Sequence, residues 1–183
     1  MKNSFFILSF FLSINCIGQS DTTKENKKSL PYYIQVCKDV MTDKELVWGS
    51  KIILCSEDGK KGFSIRVSFE KKKDEVKYQG LTVISAGIGN CMEKDELIFL
   101  FEDDSKYSLK SWQDFNCAGK SYFDLYGKFF DEFNSKKIKA IRLTNGRSYE
   151  SYTYKPTSTE ASYFIEVKQA LDNNKIVNVK CDE

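Results

Sequence analysis

Three features of the chain predict an α+β fold: mainly antiparallel β-sheet with two helices packed on one face or end. The first is FSIRVSFE, Phe63 to Glu70. There Phe63, Ile65, Val67 and Phe69 alternate with Ser64, Arg66, Ser68 and Glu70, the pattern of a strand with one buried and one solvated face. The second is the pair of turn signals Asp58-Gly59 and Asn145-Gly146, each flanked by extended runs. The third is Thr157-Ser-Thr-Glu160, a capping box that opens an amphipathic segment.

The elements follow in order. Tyr32 to Cys37 reads as a strand, Met41 to Lys44 as a turn, and Glu45 to Cys55 as an extended run centred on Ile52, Ile53 and Leu54. Ser56 to Lys60 turns into the alternating Phe63–Glu70 strand. Lys71 to Asp74 turns again into Val76–Ser85, where Gly80 marks a bulge. Ala86-Gly-Ile-Gly-Asn90 is rich in glycine but lacks the Gly-Lys-(Ser/Thr) that opens a phosphate-binding helix, so it reads as a plain connection.

Leu97 to Phe101 is almost continuously apolar, as expected of a central strand. Glu102-Asp-Asp-Ser105 lacks the alternating ligand spacing of a calcium loop and reads as an Asx-type turn into Tyr107–Leu109. Ser111 to Gly119 is a structured loop. Ser121 to Leu125 is extended. Tyr126 to Ser135 is helix-like, with Phe129, Phe130 and Phe133 on one face. Ile138 to Leu143 is a strand, and Asn145-Gly146 returns the chain as Ser148–Lys155. The last helix carries Phe164, Val167 and Leu171 and ends at Asn173-Asn174. Ile176 to Val179 makes a final short strand that brings Cys181 back to the body.

At the N-terminus, Lys2 precedes a short apolar run from Phe5 to Ile14, the layout of a secretory signal peptide. The run is shorter than the roughly 20 residues a membrane span needs, so no transmembrane span is expected in the mature chain. Cys16-Ile-Gly18 fits a small-x-small cleavage site, which makes residues 1–18 the leader, 19–30 a polar flexible tether, and 31–183 a single domain. The alternative is lipidation at Cys16, although Ser13-Ile-Asn15 departs from the usual Leu-x-(Gly/Ala) before the cysteine. The expected location is therefore periplasmic or secreted, or else lipid-anchored through Cys16. The leader resembles those of Gram-negative envelope proteins. The segment Phe115-Asn-Cys117, followed by the Phe-rich helix and IKAIRL (Ile138 to Leu143), resembles uncharacterised small exported bacterial proteins. That resemblance spans roughly residues 95–155 and implies no active residues.

Composition excludes several activities. The formal charge is +2, with 28 basic and 26 acidic residues, so no strong field attracts nucleic acid. Lysine clusters fall at predicted turns, without an aromatic RNA-binding motif. The chain has no histidine. That removes Ser-His-Asp and Cys-His catalysis and His-ligated zinc or haem. No cofactor or metal is expected, and no catalytic residue is assigned.

Cysteine arithmetic leaves five after cleavage at Gly18: Cys37, Cys55, Cys91, Cys117 and Cys181. In an exported chain these predict disulfides and one leftover thiol. Cys37 and Cys55 fall in what read as consecutive strands, and Cys91 and Cys117 flank a hairpin. Cys181 is then the leftover.

The expected function is a non-catalytic binding module for a protein, peptide or glycan of the envelope. Candidate contact residues are Trp112, Phe115, Tyr149, Tyr152 and Tyr154. Each has a structural alternative: Trp112 and Phe115 as core residues packed beside a bridge, and the tyrosines as cross-strand pairs of a sheet. An inhibitor or immunity-type protein is the second reading. The third is a carboxylate-based hydrolase using Glu102, Asp103, Asp104 or Asp114, which would need two carboxylates facing one cleft.

Overall fold

The structure, a computed structural model, describes residues 32–39, 41–42, 44–72, 75–89, 91–125, 132–179 and 181. Its strands are β1 (Ile34–Lys38), β2 (Glu45–Gly49), β3 (Ile52–Cys55), β4 (Gly62–Lys72), β5 (Glu75–Ala86), β6 (Glu96–Phe101), β7 (Lys106–Lys110), β8 (Lys120–Asp124), β9 (Ile138–Thr144), β10 (Ser151–Tyr154) and β11 (Ile176–Asn178). Helices α1 (Ser158–Ala161) and α2 (Tyr163–Asp172) precede β11. The fold is thus mostly antiparallel sheet with short helices. The signal peptide and tether expected over 1–30 lie outside the described residues, as does most of the helix expected over 126–135.

The strands form two sheets. The larger runs β11-β1-β2-β4-β5-β8, with β3 also paired to β4; the smaller runs β10-β9-β6-β7. All pairings are antiparallel except β1 with β11. The extended run over Glu45–Cys55 is broken at Ser50, so β2 and β3 lie on successive stretches of β4. Buried Ser50 holds the break: its N–H donates to the Tyr33 carbonyl at 2.9 Å, and its own carbonyl accepts from the Tyr163 hydroxyl at 2.9 Å. Such a buried break is stable only because its backbone groups find partners.

The long β4 buries Phe63, Ile65, Val67 and Phe69, all under 5 % exposed, as its alternation predicts. These side chains meet Leu81, Val83 and Phe123 on the inner face of the large sheet. The smaller sheet contributes Leu97, Phe99, Phe101, Ile141 and Leu143. Helix α2 closes the core with Tyr163, Phe164, Val167 and Ala170. Phe133 sits at the meeting point, edge-on to Phe99 and Phe164 at 4.9 Å and to Phe101 at 5.2 Å. Edge-to-face clusters add attraction beyond the area they bury.

The local signals were good guides to the helical end. Thr157 and Glu160 form the expected capping box, and α2 ends at Asn173. The backbone kinks at Ser162 and divides one expected helix into two.

The cysteine expectation divides. Cys91 is bonded to Cys117 as predicted. Cys37 is bonded not to Cys55 but to Cys181, across 144 residues. Two physical reasons explain the correction. Cys37 on β1 and Cys55 on β3 are not neighbours, because β2 and β4 intervene. The parallel pairing of β11 with β1 carries Cys181 to Cys37. No described cysteine is free, so the leftover thiol expected at Cys181 does not exist. Both bridges suit an oxidising, extracytoplasmic environment. Among the described residues, no helix is long and apolar enough to cross a membrane.

Candidate functional site

The outer face of the large sheet holds a solvent-open groove of about 500 Å³ over β5 and β8. Its floor combines Ser68 of β4 with Gly80 and Thr82 of β5. Its aromatic wall is Trp112 with Tyr122, and its polar rim includes Gln79 and Asp124. The sheet pleat explains the set. Ser121 and Phe123 point into the core, so Tyr122 and Asp124 of the same strand point outward.

A bulge deepens the groove. Ser68 pairs with Gly80 but Phe69 pairs with Tyr78, which leaves Gln79 unopposed. This confirms the irregularity expected at Gly80, and it turns Gln79 toward the groove. A side chain at position 80 would begin only 2.5 Å from the Phe123 carbonyl oxygen, so the close β5–β8 approach depends on glycine there.

Trp112 does not pack in the core as its place beside a disulfide suggested. It is 63 % exposed and lies stacked on Tyr122, ring centroids 5.5 Å apart and planes 29° apart. One indole face is therefore supported and the other is open.

The Trp112 backbone is held on both sides. Its N–H donates to the Tyr122 carbonyl at 3.1 Å, and the Tyr122 N–H donates to Gln113 Oε1 at 2.8 Å. Gln113 Nε2 in turn donates to Asp95 Oδ2 at 3.2 Å. Asp95 is wholly buried and also accepts from Ser121 Oγ at 2.5 Å and from the Gly146 N–H at 3.0 Å. A buried carboxylate is tolerated where several donors replace its water. Asp95 thereby ties the loop bearing Trp112 to β8 and to the β9–β10 connection.

A second buried polar residue, Asn145, completes this framework. Its Nδ2 donates to the carbonyls of Ile88 at 3.1 Å and Cys91 at 2.8 Å, while its Oδ1 accepts from the N–H groups of Arg147 and Ser148. Together with Cys91–Cys117, Asn145 and Asp95 knit residues 87–89, 91–95, 111–119 and 145–150 into one cluster. Asn145-Gly146 does connect two antiparallel strands. The ladder closes at Thr144–Ser151, so residues 145–150 form a longer loop rather than a two-residue turn.

The other predicted contact residues divide. Phe115 is 49 % exposed, with the Arg147 guanidinium 4.7 Å above its ring. Like Trp112, it is not a core residue. Tyr149 is 81 % exposed, and it sits in the left-handed region at φ 61°, before β10 begins rather than within it. Tyr152 and Tyr154 serve the scaffold. Tyr152 packs edge-on to Phe63 at 6.2 Å, and the Tyr154 hydroxyl donates to Glu160 at 3.0 Å. Burial, with the Glu160 bond, pushes the Tyr154 hydroxyl up to about 12. The structure thus leaves Trp112, Phe115 and Tyr149 exposed and holds Tyr152 and Tyr154 half-buried against the scaffold.

None of the four acids considered for hydrolysis lines the groove, whose carboxylate is Asp124. Glu102, Asp103 and Asp104 occupy the exposed β6–β7 turn, where Asp103 accepts from Ser105 in the expected Asx geometry. Asp103 pairs with Lys136 at 2.8 Å and Asp104 with Lys139 at 2.6 Å. Asp114 is exposed on the separate 111–119 loop. Among the described residues, no cluster of acidic and cysteine side chains is arranged to hold a metal ion.

Sequence reasoning missed Tyr122, Gln79 and Asp95. The Ser121–Leu125 alternation contained a signal for Tyr122, since it puts that ring on the face opposite Phe123. Asp95 had none, because a carboxylate beside a loop reads as solvated until the fold surrounds it. No protein-family model, curated protein or solved structure matches this chain.

Proposed function

We propose that this is an exported, non-catalytic binding module whose groove takes a glycan. The observation that carries the reading is the open indole face of Trp112, backed by Tyr122 and set beside polar groups of Gln79, Thr82 and Asp124. A sugar ring has an apolar C–H face and a rim of hydroxyls. An exposed aromatic plane suits the first, and amide, hydroxyl and carboxylate groups suit the second. The aromatic wall costs little entropy on binding, because its backbone is already fixed through Gln113 and Asp95.

The test is retention on immobilised polysaccharides and titration with soluble oligosaccharides, with Trp112→Ala beside the wild type. Binding that disappears in the variant supports the reading. Retention unaffected by Trp112→Ala refutes it.

One observation favours a second reading, an inhibitor that grips a protein. Arg147 stacked over exposed Phe115, on a disulfide-pinned loop cluster, has the composition of an interface hot spot. Under that reading, Phe115→Ala and Arg147→Ala abolish capture of a protein partner while Trp112→Ala spares it.

A further inference from the structure

The outer face of the sheet continues past Ser68, away from the aromatic wall, onto β2. Directly opposed residues on paired strands share a face of a sheet. Trp48 of β2 opposes Ser68, Ser68 opposes Gly80, and Gly80 opposes Asp124. A parallel row runs Arg66–Thr82–Tyr122. Val47 and Gly49 are buried on the inner face, so Trp48 stands on the same outer face as Tyr122. The residues between the two aromatic ends are small: Ser68, Gly80 and Thr82. Register thus makes one trough crossing the strands, with Trp48 toward one end and Trp112 and Tyr122 at the other, of which the groove from Ser68 to Trp112 is the hollowed part. Three strand spacings separate β2 from β8, about 14 Å. That is the span of a short oligosaccharide rather than of one sugar ring.

The two ends differ in charge. At the Trp48 end the Arg66 guanidinium lies over the indole, 5.5 Å from its centroid. Among the described residues no carboxylate pairs with Arg66, and its buried Nε has no hydrogen-bond partner. Stacking uses the flat face of a guanidinium, and with Nε buried it is the terminal Nη groups that remain for a carboxylate. At the other end exposed Asp124 accepts hydroxyl donors and repels an acid.

We infer that the trough binds a linear oligosaccharide containing both uronic-acid and neutral sugars, with a uronate carboxylate at Arg66 and a neutral ring on Trp112. The inference rests on reading the Trp112–Tyr122 groove as a sugar site. It adds a second subsite, a direction across the strands and a charge requirement.

The experiment uses a panel of linear uronate-containing oligosaccharides of increasing length, each beside its carboxyl-reduced counterpart, titrated into the wild type, Arg66→Met, Arg66→Lys and Trp112→Ala. Wild-type affinity is expected to rise with length until the trough is filled. It should favour the uronate form by about tenfold or more, the worth of one charge-assisted contact. Arg66→Met should erase that preference, so that the uronate form binds no more tightly than its reduced counterpart. Arg66→Lys should restore part of it. Trp112→Ala should weaken both forms. Equal wild-type affinity for both forms, or a preference that survives in Arg66→Met, overturns the second subsite while leaving the groove reading intact. No wild-type binding to any member of the panel overturns both.

Discussion

Replacing Asp95 tests the claim that one buried carboxylate positions the binding loop. Asp95→Ala leaves three donors without their acceptor: Ser121 Oγ, Gln113 Nε2 and the Gly146 N–H. Ser121 is itself fully buried, so water cannot easily replace the lost partner. Each stranded donor costs about 1–3 kcal/mol, and the loss is partly offset because a desolvated charge also disappears. The expected destabilisation is about 3–5 kcal/mol, a large part of the roughly 5–15 kcal/mol that stabilises a domain. For a chain of this size that lowers the melting temperature by about 6–20 °C. Urea unfolding followed by far-UV circular dichroism and tryptophan fluorescence measures it. Asp95→Asn, which keeps the shape but turns an N–H₂ group toward some of the same donors, should lose a comparable amount. A cost below about 0.5 kcal/mol for Asp95→Ala, the range of an ordinary surface change, would refute the argument.

Further predictions concern the wall, the bridge, the floor and an ion pair. Trp112→Ala should shift stability by no more than about 1 kcal/mol, since the ring is mostly exposed, yet reduce oligosaccharide affinity more than tenfold by calorimetry. Replacing Cys37 and Cys181 together by serine reopens a 144-residue loop and should cost about 4–5 kcal/mol on the chain-entropy account, read from thermal melts. Gly80→Ala should disturb the β5–β8 ladder, seen as faster amide exchange of residues 80–84 and 120–124, because its new methyl meets the Phe123 carbonyl. The Lys136 ammonium, with Ser105, holds the Asp103 carboxyl down at about 2, from 3.8. A depressed carboxylate stabilises the fold above its unfolded value and loses that contribution as pH falls through the folded one. Asp103→Asn should therefore flatten the stability profile between pH 4 and 2, measured by urea unfolding across that range.

Local chemistry made much of the fold legible. Phe63–Glu70 alternates because one side of β4 is core, and the Thr157–Glu160 box caps a helix from within its own first turn. Neither depends on distant residues. The division of Glu45–Cys55 into β2 and β3 was hidden, because the break at Ser50 is held by Tyr33 and by Tyr163, which is 113 residues away. The Cys37–Cys181 bridge was hidden for the same reason: it requires the parallel β1–β11 pairing, which no local pattern announces. At the candidate site, Trp112 and Phe115 stood out as aromatic residues in a polar loop. Their exposure did not, since it depends on Asp95 and Asn145 fixing that loop from beneath. Tyr122 was readable from pleat parity. Gln79 became visible only with the register shift opposite Ser68.

The Cys37–Cys181 bridge also has a mechanical consequence. It joins the first strand to the residues just after the last one, so nearly every described element lies within the closed segment. A pull applied ahead of Cys37 and beyond Cys181 is carried by a sulfur–sulfur bond rather than by the strand ladders. Under such a load the sheets and the groove bear almost no tension, and extension stops at the staple. If that bond is reduced, the same load passes directly to the three-residue β11, which is parallel to β1 and pulled from the opposite end, so the load shears it along β1 and strains their few hydrogen bonds together.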